Sequence, residues 1–347
     1  MQAELLVSVG NAGTWLDEHI RHLESHDILP VARAANDATY ETDFGRIHLQ
    51  AQESELQVRI ESPDEAALTT LQGSITHYLS ETDPVLAKSI TWSGVAPAPG
   101  QPKNFREMTV TQVQPLSSWL LRMTLKGEDL APFDQRGLHV RLMFPEVPGD
   151  RPVLWPTIEP SGSVHYPDGD DALTVRVYTI RQIRPESGEV DIDIVRHAGG
   201  SFSDWSETAG PGDKVGMLGP GGGYFPPAGW LAIGGDDTAV PAILRILENR
   251  PDETGGHAVI GLHPHQTPFK VSLPANFTID WVSTADLATA MKAIEAPAAG
   301  QGIYWFAGEA EQARALRTYF KSELNLPAER RSSAAYWRRT EPAQSTN

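Results

Sequence analysis

Cysteine is absent from the 347-residue chain. Its absence excludes disulfide bonds, thiolate-ligated iron–sulfur clusters, cysteine-type zinc sites and thiol nucleophiles. Any redox chemistry would therefore depend on a bound cofactor, because the chain has no thiol to carry it.

Positive charge and long apolar segments are also scarce. The 28 Lys and Arg residues face 45 Asp and Glu residues, which gives a net charge of −17. Such a chain would repel a nucleic-acid backbone or an anionic membrane surface. The opening MQAELLVSVGNAG has no basic segment, and nowhere do roughly 18 uncharged apolar residues follow one another. We expect a cytoplasmic monomer or weak dimer, with neither nucleic acid nor membrane as partner.

The length predicts two or three domains, at roughly 150 residues each. The stretch GVAPAPGQP at 94–102 contains three prolines and two glycines, a composition that favours an extended linker over a helix or a central strand. Further along, the pattern changes after Pro226 and Pro227. We therefore predict domains at residues 1–98, 103–225 and 228–340.

The N-terminal unit is the most acidic, with 15 Asp and Glu residues against 5 Lys and Arg residues over residues 1–98. Apolar residues at helical spacing predict helices over 15–25 and after Pro63, and alternation over 46–60 predicts two short strands. This pattern resembles a small α+β domain of unassigned function that occurs alone or fused to flavin reductases.

Three histidines fall on the first predicted helix of this unit. His19, His22 and His26 are spaced three and four residues apart, so their rings can share one face and bind a divalent metal. No carboxylate or cysteine ligand accompanies them, and histidines on an acidic amphipathic helix are usually solvated. We therefore predict no metal site.

The rest of the chain divides into a strand-rich part and a mixed part. Alternating or β-rich segments between Gly and Pro turns predict an antiparallel barrel. They cover 108–113, 120–125, 139–144, 173–180 and 189–196. From residue 230 onward, strands alternate with helices, which predicts a parallel sheet with helices on both faces. The predicted fold class is a small α+β domain, an antiparallel β-barrel domain and an α/β domain.

The barrel strand with the sequence RVYTIR at 176–181 carries candidate cofactor contacts. Arg176 can clamp a pyrophosphate, Tyr178 can stack on the isoalloxazine ring of a flavin, and Thr179 can bond its polar edge. The alternative is an ordinary β-strand with two surface arginines.

A second candidate segment, residues 193–205, begins as a strand and continues into a loop of small residues before a short helix. Backbone N–H groups and serine hydroxyls in such a loop can hold phosphate. The polar candidates are His197, Ser201 and Ser203. Trp205 can close over an adenine or pack as core. The following GPGGGYF at 219–225 is a weak signal, because it lacks GxGxxG spacing.

The α/β part contains a candidate nucleotide site after its first strand. There Gly235 precedes Asp236, Asp237 and Thr238, any of which can cap the next helix, and a helix start at the carboxyl end of a strand can hold phosphate. A well-capped turn without a ligand is the alternative. The basic candidates for a 2′-phosphate of NADPH are Arg245, Arg250 and Lys270.

Together these motifs resemble the siderophore-interacting protein family, which comprises FAD-containing ferric-siderophore reductases of the ferredoxin-NADP reductase superfamily. The resemblance spans about 103 to 340 and is carried by eight ordered segments. These are residues 127–133, 139–145, 176–181, 193–205, 219–223, 235–241, 305–309 and 336–338.

The resemblance implies FAD and either NADPH or NADH as cofactors, and it implies a set of site residues. Tyr178 and Glu309 would be the catalytic side chains. The implied FAD and nucleotide contacts are His139, Arg176, Tyr178, Thr179, His197, Ser201, Phe202, Ser203, Trp205, Gly235, Asp236, Thr238, Gly308 and Glu309. Alternatively, Glu309 would only favour the helix dipole, and Tyr336 and Trp337 would either shield the flavin or dock the tail.

The implied reaction is reduction of a ferric siderophore, with hydride transfer from NAD(P)H to FAD and single electrons passed to the iron. An anionic chelate would require positive charge at the domain junction, for which His263, His265 and Lys270 are the best local cluster, although they can equally form a mere turn. The alternatives are a flavin reductase or electron-transfer flavoprotein with another acceptor, and a siderophore- or flavin-binding sensor.

Overall fold

A computed structural model describes residues 1–25, 28–83, 85–86, 89–146, 152–197, 199–223, 229–251, 253–295 and 302–339. His26, Tyr224 and Phe225 lie outside these residues. No helix within the described ranges is both long and apolar enough to cross a membrane. Three large β-sheets, each with its own hydrophobic core, follow one another along the chain.

The N-terminal unit is a six-stranded sheet, in the order β2-β3-β4-β5-β1-β6, whose buried side chains share a core with two helices. Its elements are β1 Gln2–Ser8, α1 Ala12–Ser25, β2 Ala32–Ala34, β3 Asp37–Thr42, β4 Gly45–Gln52, β5 Glu55–Glu61, α2 Glu65–Thr82 and β6 Trp92–Gly94. Helix α2 begins where the Asp64 side chain accepts a hydrogen bond from Ala67 N at 2.9 Å.

His19 is buried in this core and is not solvated as predicted. Its ring is stacked on Trp15 at 4.9 Å and lies edge-on to Tyr78 at 4.3 Å, and only 5% of the residue is exposed. Burial, with a smaller contribution from His22, lowers the pKa of His19 to about 4. No group of three or more metal-ligating side chains is found among the described residues. His26, the third histidine of the helical set, lies outside the described residues.

The second unit is a closed barrel of six antiparallel strands, in the order β12-β13-β8-β7-β14-β9. Its elements are β7 Phe105–Pro115, β8 Leu120–Lys126, α3 Ala131–Gln135, β9 His139–Pro145, β12 Leu173–Arg184, β13 Glu189–Val195, α4 Ser201–Ser206 and β14 Lys214–Gly221. Between β9 and β12, the strands β10 Thr157–Ile158 and β11 Val164–His165 form a hairpin.

The third unit is a five-stranded parallel sheet, in the order β17-β16-β15-β18-β19. Its elements are β15 Trp230–Asp236, α5 Val240–Glu248, β16 Gly255–Leu262, β17 Asn276–Ser283, α6 Leu287–Lys292, β18 Ile303–Glu309, α7 Ala310–Thr318 and β19 Arg331–Trp337. A turn of π-helix at Tyr319–Glu323 follows α7. The strand order reverses between β15 and β18, and doubly wound sheets bind ligands at that reversal.

Two strands were not predicted from the sequence, one in the barrel and one in the parallel sheet. Lys214–Gly221, which includes the start of the GPGGGYF segment, is strand β14 and closes the barrel between β7 and β9. Arg331–Trp337 is strand β19 and extends the parallel sheet by pairing with β18. Glycine and proline in β14, and small polar residues in β19, conceal the periodicity from which strands are predicted.

Helix α5 joins the parallel-sheet unit to the barrel. Arg245 is buried and donates to the carbonyl oxygens of Ile180 at 3.0 Å and Leu138 at 3.4 Å. Arg181 forms two hydrogen bonds, at 2.5 and 2.6 Å, with the carboxylate of Glu248. These contacts hold α5 against β12 and against Leu138, the residue before β9.

Candidate functional site

The outer face of the barrel offers an open surface beside the parallel sheet. Thr179 on β12 is paired with His139 on β9, and Val177 is paired with Arg141 in the same register. Side chains of antiparallel partners lie on one face, so these four share a surface. Val177 is apolar yet 63% exposed, which leaves room for a flat ring to cover it.

Tyr178 points to the opposite face of β12 and packs against α4. Its ring centroid lies 4.7 Å from that of Phe202, which is buried. Burial raises the pKa of Tyr178 to about 12, although Arg176 acts in the opposite direction. The phenol is therefore protonated at neutral pH. Within the described ranges its hydroxyl has no hydrogen-bond partner, so it can donate to a ligand.

Arg176 and the start of α4 form a set of hydrogen-bond donors. The guanidinium Nη2 lies 3.3 Å from Ser201 Oγ, and no side chain caps the helix at Gly200. Behind them, Ser203 Oγ accepts a hydrogen bond from His197 N at 3.0 Å. An ideal Cβ on Gly200 would overlap the His197 ring, so the backbone and the imidazole are in close contact.

This donor set fits the pyrophosphate of a dinucleotide. A guanidinium, a serine hydroxyl and uncapped backbone N–H groups are the donors that phosphate oxygens accept. The individual FAD contacts named from the sequence stay predictions.

Trp205 contributes to packing. Its ring is stacked on Phe144 at 4.7 Å, with an interplanar angle of 17°, and lies edge-on to Phe202. Trp205 thus fastens α4 to the barrel, as one of the two roles expected from the sequence requires, and its contact with FAD stays a prediction.

A hydrogen bond between His139 and Tyr336 closes the junction between barrel and sheet. His139 Nε2 lies 2.7 Å from the Tyr336 hydroxyl. Burial, with the nearby Arg245 charge as a smaller cause, lowers the pKa of His139 to about 4. Burial also raises the pKa of Tyr336. Both groups are therefore neutral at neutral pH, and one hydrogen bond joins the imidazole to the tyrosine hydroxyl.

Gly235 and Gly308 lie at the carboxyl ends of β15 and β18, on the two sides of the strand-order reversal. An ideal Cβ on Gly235 would overlap Ala307 O and the Ala239 methyl group, and one on Gly308 would press against the Asp236 carboxylate. The structure thus brings the two glycine motifs of the sequence together where a nucleotide binds in such folds.

Asp236 holds this junction together with four hydrogen bonds. Its Oδ1 accepts from Thr238 N at 3.0 Å and Thr238 Oγ1 at 2.5 Å. Its Oδ2 accepts from Glu309 N at 3.0 Å and Trp337 Nε1 at 2.7 Å. Burial raises the pKa of Asp236 against these hydrogen bonds. The carboxylate thus links β15, β18 and β19.

Glu309 caps helix α7. Its Oε2 accepts from Glu311 N at 2.7 Å and from Gln312 N at 3.3 Å. Burial acts to raise the pKa of Glu309, but these hydrogen bonds and one from Arg339 N outweigh it and lower the pKa. The side chain is ionised at neutral pH and can accept a hydrogen bond but not donate a proton.

The predicted substrate cluster lies on a turn after β16. His263 is half-buried, His265 and Lys270 are exposed, and the two imidazole rings are nearly parallel, with centroids 6.2 Å apart. Of the candidates for a 2′-phosphate, Arg245 is buried at the barrel contact described above. The cluster is one strand removed from the reversal, on the side away from Tyr336.

Three exposed arginines lie near the junction, and none was predicted as a site residue. Arg141 and Arg338 fall within the motif segments 139–145 and 336–338, whereas Arg339 lies outside them. Arg338 and Arg339 follow directly after β19, and Arg141 lies beside Val177 on the barrel face. Their signal in the sequence is weak, because only the fold shows that the chain end returns to the carboxyl edge of the sheet.

Comparisons with known proteins agree with this geometry. The model of the siderophore-interacting FAD-binding domain matches residues 109–224, and that of the siderophore-interacting protein matches residues 228–340. The ferric vibriobactin reductase ViuB of Vibrio cholerae is 32% identical, over 65% of this chain and 86% of its own. The NADPH-dependent ferric-chelate reductase of Escherichia coli is 30% identical, over 67% of this chain and 92% of its own.

Solved structures show the same likeness. The siderophore-interacting protein SipS from Aeromonas hydrophila superposes with a TM-score of 0.58 at 30% identity, over 70% of this chain and 94% of that one. The ferredoxin reductase of carbazole 1,9a-dioxygenase, at 18% identity and a TM-score of 0.50, shares the fold.

Proposed function

The chain belongs to the siderophore-interacting protein family, and from this premise we propose that it reduces ferric siderophores with electrons from NAD(P)H through FAD. Bound FAD supplies the step that the substrates cannot make directly, because it accepts a hydride and passes on electrons one at a time. One NAD(P)H thus reduces two Fe(III) to two Fe(II) and releases one proton.

On the barrel, we assign the flavin contacts to β12 and α4. Arg176 and Ser201 bind the pyrophosphate, and Thr179 bonds the polar edge of the ring. Tyr178, which keeps its proton, lies with Arg176 on the face of β12 opposite Val177 and Thr179 and donates from its hydroxyl to the part of the dinucleotide beside α4. His197, Phe202, Ser203 and Trp205 hold the α4 segment in position for these contacts.

On the parallel sheet, we assign the nicotinamide nucleotide to the reversal between β15 and β18. Gly235 and Gly308 let the ends of β15 and β18 pack closely, since a Cβ on either would overlap protein atoms, and the nucleotide would lie at this reversal. Thr238 lies at the helix start, where its N–H and its hydroxyl both donate to Asp236. Asp236 and Glu309 position these groups, because their carboxylates already accept hydrogen bonds from the protein.

Iron is substrate in this reaction. Siderophore oxygens are hard ligands that suit Fe(III) better than Fe(II), so reduction weakens the chelate and iron leaves. The exposed Arg338 and Arg339 after β19, with Arg141 on the barrel face, give an otherwise acidic protein positive charge where an anionic chelate would approach.

The observation that carries the proposal is the junction itself. The Tyr336 hydroxyl, on the last strand of the sheet, bonds His139 beside Thr179 on the barrel. The surface for a flavin and the carboxyl edge of the nucleotide sheet therefore meet within the reach of one side-chain pair, as hydride transfer requires.

Anaerobic stopped flow tests the proposal. The flavin-loaded protein is reduced with NADPH or NADH, and ferric chelates are then added together with a ferrous-ion trap. We expect flavin reduction followed by reoxidation in step with trapped Fe(II). Rapid flavin reduction with no Fe(II) release would favour a flavin reductase serving another acceptor.

A further inference from the structure

The turn after β16 is more than a surface loop, because two of its contacts fix it to the nucleotide site. Gln266 is 8% exposed, and its Nε2 donates to Asp237 Oδ2 at 2.5 Å. The Oε1 of the same side chain accepts from His263 N at 2.8 Å. The turn at 263–266 is therefore tied to the loop that follows β15.

The segment beyond the turn is fixed as well. Trp119 Nε1, on the barrel side, donates to Thr267 O at 3.1 Å. The ring of Phe269 lies against Trp119 at 5.8 Å and Trp281 at 5.3 Å. Lys270 follows directly and is exposed. His263, His265 and Lys270 are thus three basic side chains on one anchored segment.

The charge of this segment is unlike that of the rest of the chain. Between Thr254 and Ile279 the sequence has no Asp or Glu, although the protein carries 45 acidic residues. Asp237, which contacts the segment, is buried, and its Oδ2 already accepts from Gln266. An anion can therefore approach the two imidazoles without meeting an exposed carboxylate of this segment.

The position of the turn in the parallel sheet indicates which anion would bind to it. Strand β16 is the second strand of the sheet and pairs directly with β15, so that Asp236 lies opposite Gly261. In doubly wound nucleotide-binding sheets this neighbourhood recognises the adenosine ribose. A carboxylate there bonds the 2′-hydroxyl of NADH, and a cationic side chain accommodates the 2′-phosphate of NADPH. The flavin junction at His139 and Tyr336 lies on the other side of β15.

We propose that His263 and His265, with Lys270, bind the 2′-phosphate of NADPH, so that this protein selects NADPH over NADH. The inference rests on the proposed function and assigns these side chains to the nucleotide in preference to the iron chelate. The parallel rings present N–H donors to one phosphate group, and Lys270 adds a charge that pairs with it.

Nucleotide fragments separate this proposal from overall activity. Calorimetric titration of the FAD-loaded protein with 2′,5′-ADP and with 5′-AMP compares two ligands that differ only in the 2′-phosphate. We expect 2′,5′-ADP to bind about tenfold more tightly, in line with hydrogen bonds to a charged group. In the double variant His263→Gln/His265→Gln, we expect that preference to fall below about threefold, with 5′-AMP affinity unchanged.

His257→Gln is the matched control. His257 lies near the amino end of β16, the strand that precedes the turn, and pairs with Asp280 at 2.8 Å. It should keep the preference for 2′,5′-ADP. Equal binding of the two fragments by the unmodified protein, or a preference that survives in the double variant, overturns the proposal. So does a double variant that loses affinity for ferric chelate while keeping the preference.

The failure of this inference is distinguishable from that of the proposed function. If NADH reduces the flavin as fast as NADPH and Fe(II) is still released, the selectivity proposal is wrong and the reductase proposal stands. If neither nucleotide reduces the flavin, the reductase proposal fails, whereas the fragment titrations still report on the turn.

Discussion

At the two ligand surfaces, side chains of the same type have different roles. The sequence shows the type of each residue but not which of these roles it has. Arg176 and Arg245 were both candidates for phosphate contacts. Arg176 is exposed beside Ser201, whereas Arg245 is buried and bonded to barrel carbonyls. Asp236 illustrates the same limit, because its four hydrogen bonds come from residues up to 101 positions away. The motifs and their spacing predicted the residue types at the site. The hydrogen-bond partner of each side chain depends on tertiary contacts.

Replacing Arg176 by Ala should weaken FAD binding by about tenfold or more, since the guanidinium is a charge-assisted donor to phosphate. The thermal stability of the apoprotein should change little, because the side chain is exposed. Flavin content at 450 nm and titration of apoprotein with FAD measure the effect. Arg196→Ala, which removes an exposed arginine paired with Glu207, is the control. Full flavin occupancy in Arg176→Ala would refute the assignment.

Gly235→Ala should lower the free energy of unfolding by about 1 to 3 kcal/mol, the usual cost of forcing extra volume into a packed site. The added methyl group would meet Ala307 O and the Ala239 methyl group, neither of which can move independently of its strand or helix. Thermal denaturation measures the loss. Gly223→Ala, whose added methyl group would meet nothing within 4 Å, should be close to unchanged. Equal stability of both variants would contradict the close packing at the strand-order reversal.

Strands and helices were predictable where hydrophobic periodicity was strong. Segments such as 139–144 and 189–196 became β9 and β13 with small changes of boundary. Strand β19 was missed because RSSAAYW has little alternation, and its place beside β18 follows from the parallel pairing alone. Tertiary pairing, rather than local propensity, made it a strand. It brings Tyr336 and Trp337 to the candidate site.

Asp236→Asn should therefore loosen the edge of the sheet. An amide nitrogen in place of either carboxylate oxygen would face backbone N–H groups, leaving at least one buried donor unsatisfied at a cost of about 1 to 3 kcal/mol. We expect a lower melting temperature and faster hydrogen exchange in Arg331–Trp337. Asp204→Asn, an exposed substitution on α4, is the control. Unchanged exchange in β19 would show that the carboxylate does not hold this strand.

The three units together determine what each motif can do. The fold class and the order of the domains followed from composition and periodicity, and the family resemblance named the cofactors. The sequence did not contain the contact by which the barrel meets the sheet, because His139 and Tyr336 are 197 residues apart. That contact also makes the junction sensitive to acid, since it buries a titratable ring between two units.

The acid sensitivity of His139 has a definite sign. Its pKa in the folded protein is about 4, below the usual 6.5, so between these values the unfolded chain binds the proton more strongly. Stability must therefore fall as pH drops through this window, by up to about 3 kcal/mol from this residue. Above pH 6.5 the contribution is constant.

Urea titrations between about pH 7 and pH 4.5, followed by tryptophan fluorescence, measure this dependence. The buried His19 titrates in the same window, so the informative quantity is the difference between the unmodified protein and His139→Gln. That difference should shrink on acidification, because the variant lacks the group that must take up a proton. Tyr336→Phe should instead keep the decline while losing about 1 to 3 kcal/mol at neutral pH, because it leaves a part-buried imidazole without its hydrogen-bond partner. If His139→Gln and the unmodified protein lose stability in parallel, the imidazole is not held neutral at this junction, and the contact that joins the flavin surface to the nucleotide sheet is weaker than its geometry indicates.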